Sequence, residues 1–76
     1  MFSYNIAKEA DNKAFKNACA AIEEKVNGIE KEELLVDVDG TLIQVYNVPD
    51  GKITVFNDYE VDAVYADSDV NLSEVL

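Results

Sequence analysis

The stretch Leu34-Leu35-Val36-Asp37-Val38-Asp39-Gly40-Thr41-Leu42-Ile43-Gln44-Val45-Tyr46 decides the fold. Leu34, Val36 and Val38 alternate with Leu35, Asp37 and Asp39. Asp39-Gly40 then interrupts, and a second run continues from Leu42 to Tyr46. Asp-Gly between two alternating runs signals a β-hairpin, because a type I′ turn needs two positive φ angles that these residues tolerate. Pairing across a two-residue turn sets Val38 opposite Thr41, Val36 opposite Ile43 and Leu34 opposite Val45. The opposite face then takes Leu35, Asp37, Leu42, Gln44 and Tyr46.

Towards the C-terminus the same period of two persists. Val48-Pro49-Asp50-Gly51 has proline and glycine where a tight turn accepts them. Lys52 to Phe56 reads as a third strand, Asn57-Asp58-Tyr59-Glu60 as a turn, and Val61 to Ala66 as a fourth strand. The tail from Asp67 to Leu76 carries no clear period, and Ser73 to Leu76 suits a short helical turn or a packed end.

Towards the N-terminus the period changes to 3.6. Ala7, Ala14, Phe15, Ala18, Cys19, Ile22, Val26 and Ile29 recur at steps of three and four, which places them on one helical face. Asp11 is a suitable N-cap for a helix from about Asp11 to Asn27, and Ser3 would cap a longer one. Asn27-Gly28 reads as the stop, with Gly28 suited to a left-handed position. The expected fold is therefore a single α+β domain over residues 1–76. One N-terminal helix packs on a four-stranded antiparallel meander. Phe15, Ile22 and Val26 are expected to bury against Val36, Ile43, Val45, Ile53 and Val55.

The chain has 76 residues and 49% hydrophobic composition, so one thin core is expected and disorder is not. Thin cores are commonly reinforced by dimerisation, and a homodimer through the uncovered sheet face or an edge strand is one expectation. The net charge is −10. Residues 1–32 contain six acids and five lysines, whereas residues 33–76 contain ten acids and Lys52 alone. Such a field repels nucleic acid and anionic membranes and attracts basic protein surfaces. No run is apolar enough to span a bilayer, no basic n-region or apolar h-region marks a signal peptide, and one cysteine excludes an intramolecular disulfide. These features point to the cytoplasm. Histidine and arginine are absent, which removes the usual general base near neutral pH and bidentate phosphate capture.

Leu34 to Leu42 also resembles the first motif of the haloacid dehalogenase superfamily of phosphotransferases. There an apolar strand delivers a nucleophilic aspartate, followed two residues later by an acid–base aspartate. The resemblance would make Asp37 the nucleophile and Asp39 the general acid. It covers about nine residues. The family's later Ser or Thr and its magnesium-binding acidic pair have no counterpart, and Lys52 alone follows as a lysine. The hairpin reading accounts for the same residues, so no enzyme activity is expected.

Asp67-Ser68-Asp69-Val70-Asn71-Leu72-Ser73 spaces oxygen side chains as calcium loops do, but Leu72 stands where the sharp-turn glycine belongs. A solvated acidic tail is the expectation, with no metal and no cofactor. Cys19 lies on the apolar stripe and reads as a core thiol.

The sheet half thus carries the candidate site. An outer face with Leu35, Leu42, Tyr46, Phe56 and Val64 inside an acidic rim reads as a partner surface. The expected contacts are Asp37, Asp39, Tyr46, Phe56, Asp58, Tyr59, Glu60, Asp62, Asp67 and Asp69. The expected function is a non-catalytic inhibitor that docks on a basic nucleic-acid-binding surface of a protein partner, with carboxylates imitating phosphates. It resembles the small acidic phage and mobile-element proteins that block restriction or CRISPR nucleases in size, charge and economy of fold. The alternatives are an antitoxin or immunity protein against a basic nuclease toxin, and a small structural homodimer.

Overall fold

The computed structural model describes residues 1–76. It is an α+β fold of one helix on one face of a six-stranded antiparallel sheet. The strands are β1 (Phe2–Ala7), β2 (Glu30–Lys31), β3 (Leu35–Val36), β4 (Leu42–Val48), β5 (Gly51–Asp58) and β6 (Ala63–Ser68). The helix, α1, spans Asn12–Lys25. The sheet order is β1-β6-β5-β4-β2, with β3 also pairing β4. The chain thus begins on one edge, crosses by the helix to the other edge, and returns by hairpins until β6 lies beside β1.

The helix forms where its stripe predicts. Asp11 is extended, and its carboxylate accepts from Lys13 N–H at 2.8 Å and Ala14 N–H at 3.3 Å, which satisfies two orphan donors of the first turn. Phe15, Ala18, Cys19 and Ile22 are buried, and Lys25 in the last turn suits the negative end of the helix dipole. Val26 is extended and ends the helix, and Gly28 takes φ +73° in the following turn.

Four strands were expected and six are present. The helical reading of the N-terminus overlooked β1, where Phe2, Tyr4 and Ile6 alternate with Ser3 and Asn5. It pairs with β6, with a bulge between Asn5 and Ala7. The first strand of the meander is really two pieces. Lys31 pairs with Tyr46 and Leu35 with Ile43, so three residues between them on one side, Glu32 to Leu34, face two on the other, Gln44 and Val45. Gln44, 3% exposed, fills the gap and donates to the Glu32 carbonyl at 2.6 Å.

The hairpin exists, but its register differs by one residue. Gly40 N–H donates to the Asp37 carbonyl at 3.0 Å, Asp37 N–H donates to the Thr41 carbonyl at 2.9 Å, and Gly40 has φ +89°. The turn therefore uses three residues, Val38 to Gly40, rather than two. Leu35 pairs with Ile43 and Val36 with Leu42. A one-residue slip exchanges the faces of a strand. Leu42, Gln44 and Tyr46 face the helix, since Gln44 and Tyr46 lie opposite the buried Val55 and Ile53, while Ile43 and Val45 face outward and Val36 is exposed. The expected core therefore loses Val36, Ile43 and Val45. Ile53 and Val55 are buried as expected, joined by Tyr46, Val64, Ala66 and Leu72. The tail ends in a turn in which Val75 and Leu76 N–H donate to the Leu72 carbonyl, which closes one end of the core.

Candidate functional site: an acidic end with apolar tips

The antiparallel order β4-β5-β6 places the β3–β4 and β5–β6 turns at the same end of the sheet, together with the β1–α1 connection. Asp37, Asp39, Asp58, Glu60 and Asp62 are brought together there with Tyr59. The three connections are tied to one another. Tyr59 N–H donates to Thr41 Oγ1 at 3.1 Å, and its hydroxyl to Asn12 Oδ1 at 3.3 Å. Ala10 N–H donates to Asp62 Oδ1 at 2.8 Å, and Asp11 N–H to Asn57 Oδ1 at 3.0 Å. Asn57, fully buried, also donates through Nδ2 to Asn12 Oδ1 at 2.8 Å. This end is a cross-braced platform rather than three free loops.

The acids build these turns as well as charging them. Asp37 Oδ1 accepts from Val38 N–H at 2.7 Å and Asp39 Oδ1 from Thr41 N–H at 2.9 Å. The Thr41 N–H bond holds the Asp39 carboxyl below its ordinary range. Asp58 accepts from Glu60 N–H, Val61 N–H and the Tyr65 hydroxyl. Burial, then that bond to Asp58, pushes the Tyr65 hydroxyl up to about 12. Asp62 adopts φ +55°, a left-handed conformation that Asp tolerates better than most residues.

Not every expected contact residue belongs to this end. Tyr46 is fully buried under the helix and donates to Glu23 Oε2 at 2.6 Å, so it offers nothing to a partner. Phe56 lies on the outer sheet face, half-buried and stacked on Tyr65 with ring centroids 4.7 Å apart. Asp67 shares that face and accepts from the Ser3 hydroxyl at 2.9 Å. Asp69 sits at the opposite end, where Lys52 N–H donates to it at 2.9 Å. Of the apolar set expected on the outer face, Leu42 and Val64 instead face the helix. The calcium-like spacing is also dispersed, since Asp67 points outward and Ser68 is buried between its neighbours. No group of three acidic, thiol or imidazole side chains is placed to hold a metal ion.

Sequence reasoning missed the tips. Val38, at 104% relative exposure, stands between Asp37 and Asp39 at the summit of the β3–β4 turn. Val61, at 62%, stands between Glu60 and Asp62 on the β5–β6 turn. Leu34, Leu35 and Val36 are exposed along the adjoining edge. The repeated acid–Val–acid pattern is visible in the sequence, but a period of two reads Val38 and Val61 as strand residues. Cys19 is buried, and that burial pushes its thiol up, away from reactivity. Asp37 and Asp39 lie beyond an edge strand of an antiparallel sheet, not at the end of a central parallel strand.

No family model, curated protein or solved structure matches the chain. No helix is long and apolar enough to cross a membrane. Fold and site together define a small acidic α+β domain with a braced, acid-rimmed, apolar-tipped end.

Proposed function

We propose that this protein is a non-catalytic acidic binding protein of the cytoplasm. Its turn end docks on a basic, nucleic-acid-binding surface of a partner protein and thereby displaces the nucleic acid, as small inhibitors of restriction or CRISPR nucleases do. The observation that carries the reading is the pair of acid–Val–acid tips, Asp37-Val38-Asp39 and Glu60-Val61-Asp62, on adjacent braced turns. An exposed valine costs solubility and contributes nothing to this core, whereas inside an acidic rim it can seat in a pocket of a basic partner. The carboxylates would steer the encounter, and the valines with Tyr59 would hold the complex once formed. Cross-bracing lowers the entropy lost on docking.

The test is capture of the partner from the native host, followed by binding kinetics with the purified partner at low and high salt. Neutralising Asp37 and Asp62 together, each to Asn, should slow association and flatten its salt dependence. Replacing Val38 and Val61 together by Ser should raise the off-rate by about tenfold or more, as loss of apolar anchors does. Duplex or single-stranded nucleic acid should compete with the protein for the partner. A salt-independent on-rate, or equal losses when Glu9 and Glu24 of the charge-balanced half are neutralised, would overturn the reading.

A further inference from the structure

We infer that the free edge of β1 is a homodimer interface, at which β1 of two copies pairs antiparallel and Phe2 of each copy covers a groove on the other. The opposite side of β1 pairs with β6, so one side of Phe2–Ala7 is open. Between that edge and α1 runs a groove of 610 Å³. Tyr4, Ile6, Ala14, Asn17, Ala21 and Val75 line it, and no charged side chain does.

Two observations select a second copy as the occupant. The first is charge. In a chain of net charge −10, two copies meet with least repulsion where fewest acids lie, and no acidic side chain is on β1 or lines its groove. The nearest on the sheet is Asp67, held by Ser3 on the outer face away from the groove. The other sheet edge runs through Glu30, Glu32, Glu33, Asp37 and Asp39 and would set acids against acids. The second is self-complementarity. Residues directly opposite in an antiparallel pair share a face. Phe2 opposes the buried Ser68 and Tyr4 the buried Ala66, so both point to the helix side. Phe2 is nevertheless 40% exposed. A two-fold axis perpendicular to the sheet at Ser3 keeps the bulge at Ile6 out of the ladder and sets Phe2 opposite Tyr4 of the second copy. Phe2 then lies over the groove that Tyr4 and Ile6 border, and the relation is reciprocal, as an isologous interface requires. The two helices fall on the same side, with the small residues Ala14 and Ala21 allowing close approach.

Sedimentation of the full chain from micromolar to millimolar concentration at ~0.15 M salt tests this. The expected species at the upper end is twice the 8.4 kDa chain mass. Phe2→Asp removes the anchor and places carboxylates across the two-fold, and Asn17→Glu charges the groove wall at an exposed helix position where folding is not at stake. Each should shift the dissociation constant at least about tenfold towards monomer with the circular dichroism spectrum unchanged. Val38→Asp at the opposite edge should leave the dimer intact. A chain that stays at 8.4 kDa throughout would overturn the inference. So would a dimer indifferent to Asn17→Glu, or one abolished by Val38→Asp. Phe2→Asp and Asn17→Glu leave the acidic end unaltered, so partner binding there is read separately with those two variants.

Discussion

Tyr46 joins three parts of the molecule through one hydroxyl. The side chain is buried beneath α1, its O–H donates to Glu23, and Glu23 in turn meets Lys31 of β2 at 3.3 Å. The bond from Tyr46 is the main reason the Glu23 carboxyl sits below its ordinary value of 4.5. Burial, then the same bond, raises the Tyr46 hydroxyl far above 10. These shifts act at opposite ends of the pH scale. A depressed carboxyl contributes stability that is present above its ordinary value and is lost as pH falls through the folded one. A raised phenol contributes stability that is complete below 10 and is lost as pH rises above it. Tyr46→Phe should therefore cost about 1 kcal/mol at pH 7, allowing for the partly exposed carboxylate. It should also flatten both the acid and the alkaline limbs of stability. Urea unfolding at about pH 4, 7 and 10.5 reads this directly, and parallel pH slopes for the two proteins would show that the bond is not the coupling.

At the scale of elements, the helix is fastened to the sheet at its N-terminus by Asn57. That side chain accepts from Asp11 N–H and donates to Asn12 while fully buried in β5. Its removal leaves the Asp11 N–H without its partner, leaves Asn12 Oδ1 only the Tyr59 hydroxyl, and opens a small cavity. Asn57→Ala should then destabilise the fold by about 2–3 kcal/mol. Amide exchange should accelerate first at the start of α1 and in the Tyr59 turn, because the same node braces the acidic end. Exchange that accelerates uniformly across the molecule would mean that the node carries no local role. If the proposed function holds, this variant also weakens partner binding although Asn57 itself is hidden from any partner.

For the whole molecule, charge is the dominant fact. Sixteen acids face six lysines, and the structure contains a single ion pair, Lys31–Glu23. Nine of the sixteen carboxylates accept N–H or O–H hydrogen bonds from neutral groups, which leaves their mutual repulsion in place. Screening should relieve it. The thermal midpoint at neutral pH should rise by several degrees between about 10 mM and 0.5 M sodium chloride. A midpoint that stays constant or falls would mean that the acids are spaced widely enough not to oppose folding. Salt should strengthen the β1-mediated dimer in the same experiment and weaken docking of the acidic end on a basic partner, so ionic strength separates the two surfaces.

The sequence alone determined what local chemistry controls. The α1 stripe, its Asp11 cap, the turns at Asp39-Gly40 and Pro49-Asp50 and the acidic second half all follow from residue type and period. The faces of β5 were also legible, because Ile53 and Val55 alternate with Lys52 and Thr54. In β4 both alternating sets are apolar, Leu42 and Tyr46 against Ile43 and Val45, so the pattern holds no preferred face. The pairing with β5 decides it, because Gln44 lies opposite Val55 and Tyr46 opposite Ile53, whereas the three-residue turn shifts only β3 against β4. Likewise β1 pairs with a strand some sixty residues away, and no local signal distinguishes such a partner from none. The tips Val38 and Val61 became surface features only when tertiary structure closed both turns and left the valines no core to enter. Local preference acts over a few residues, whereas register and face are settled by which arrangement buries the most apolar surface, a property of the folded whole.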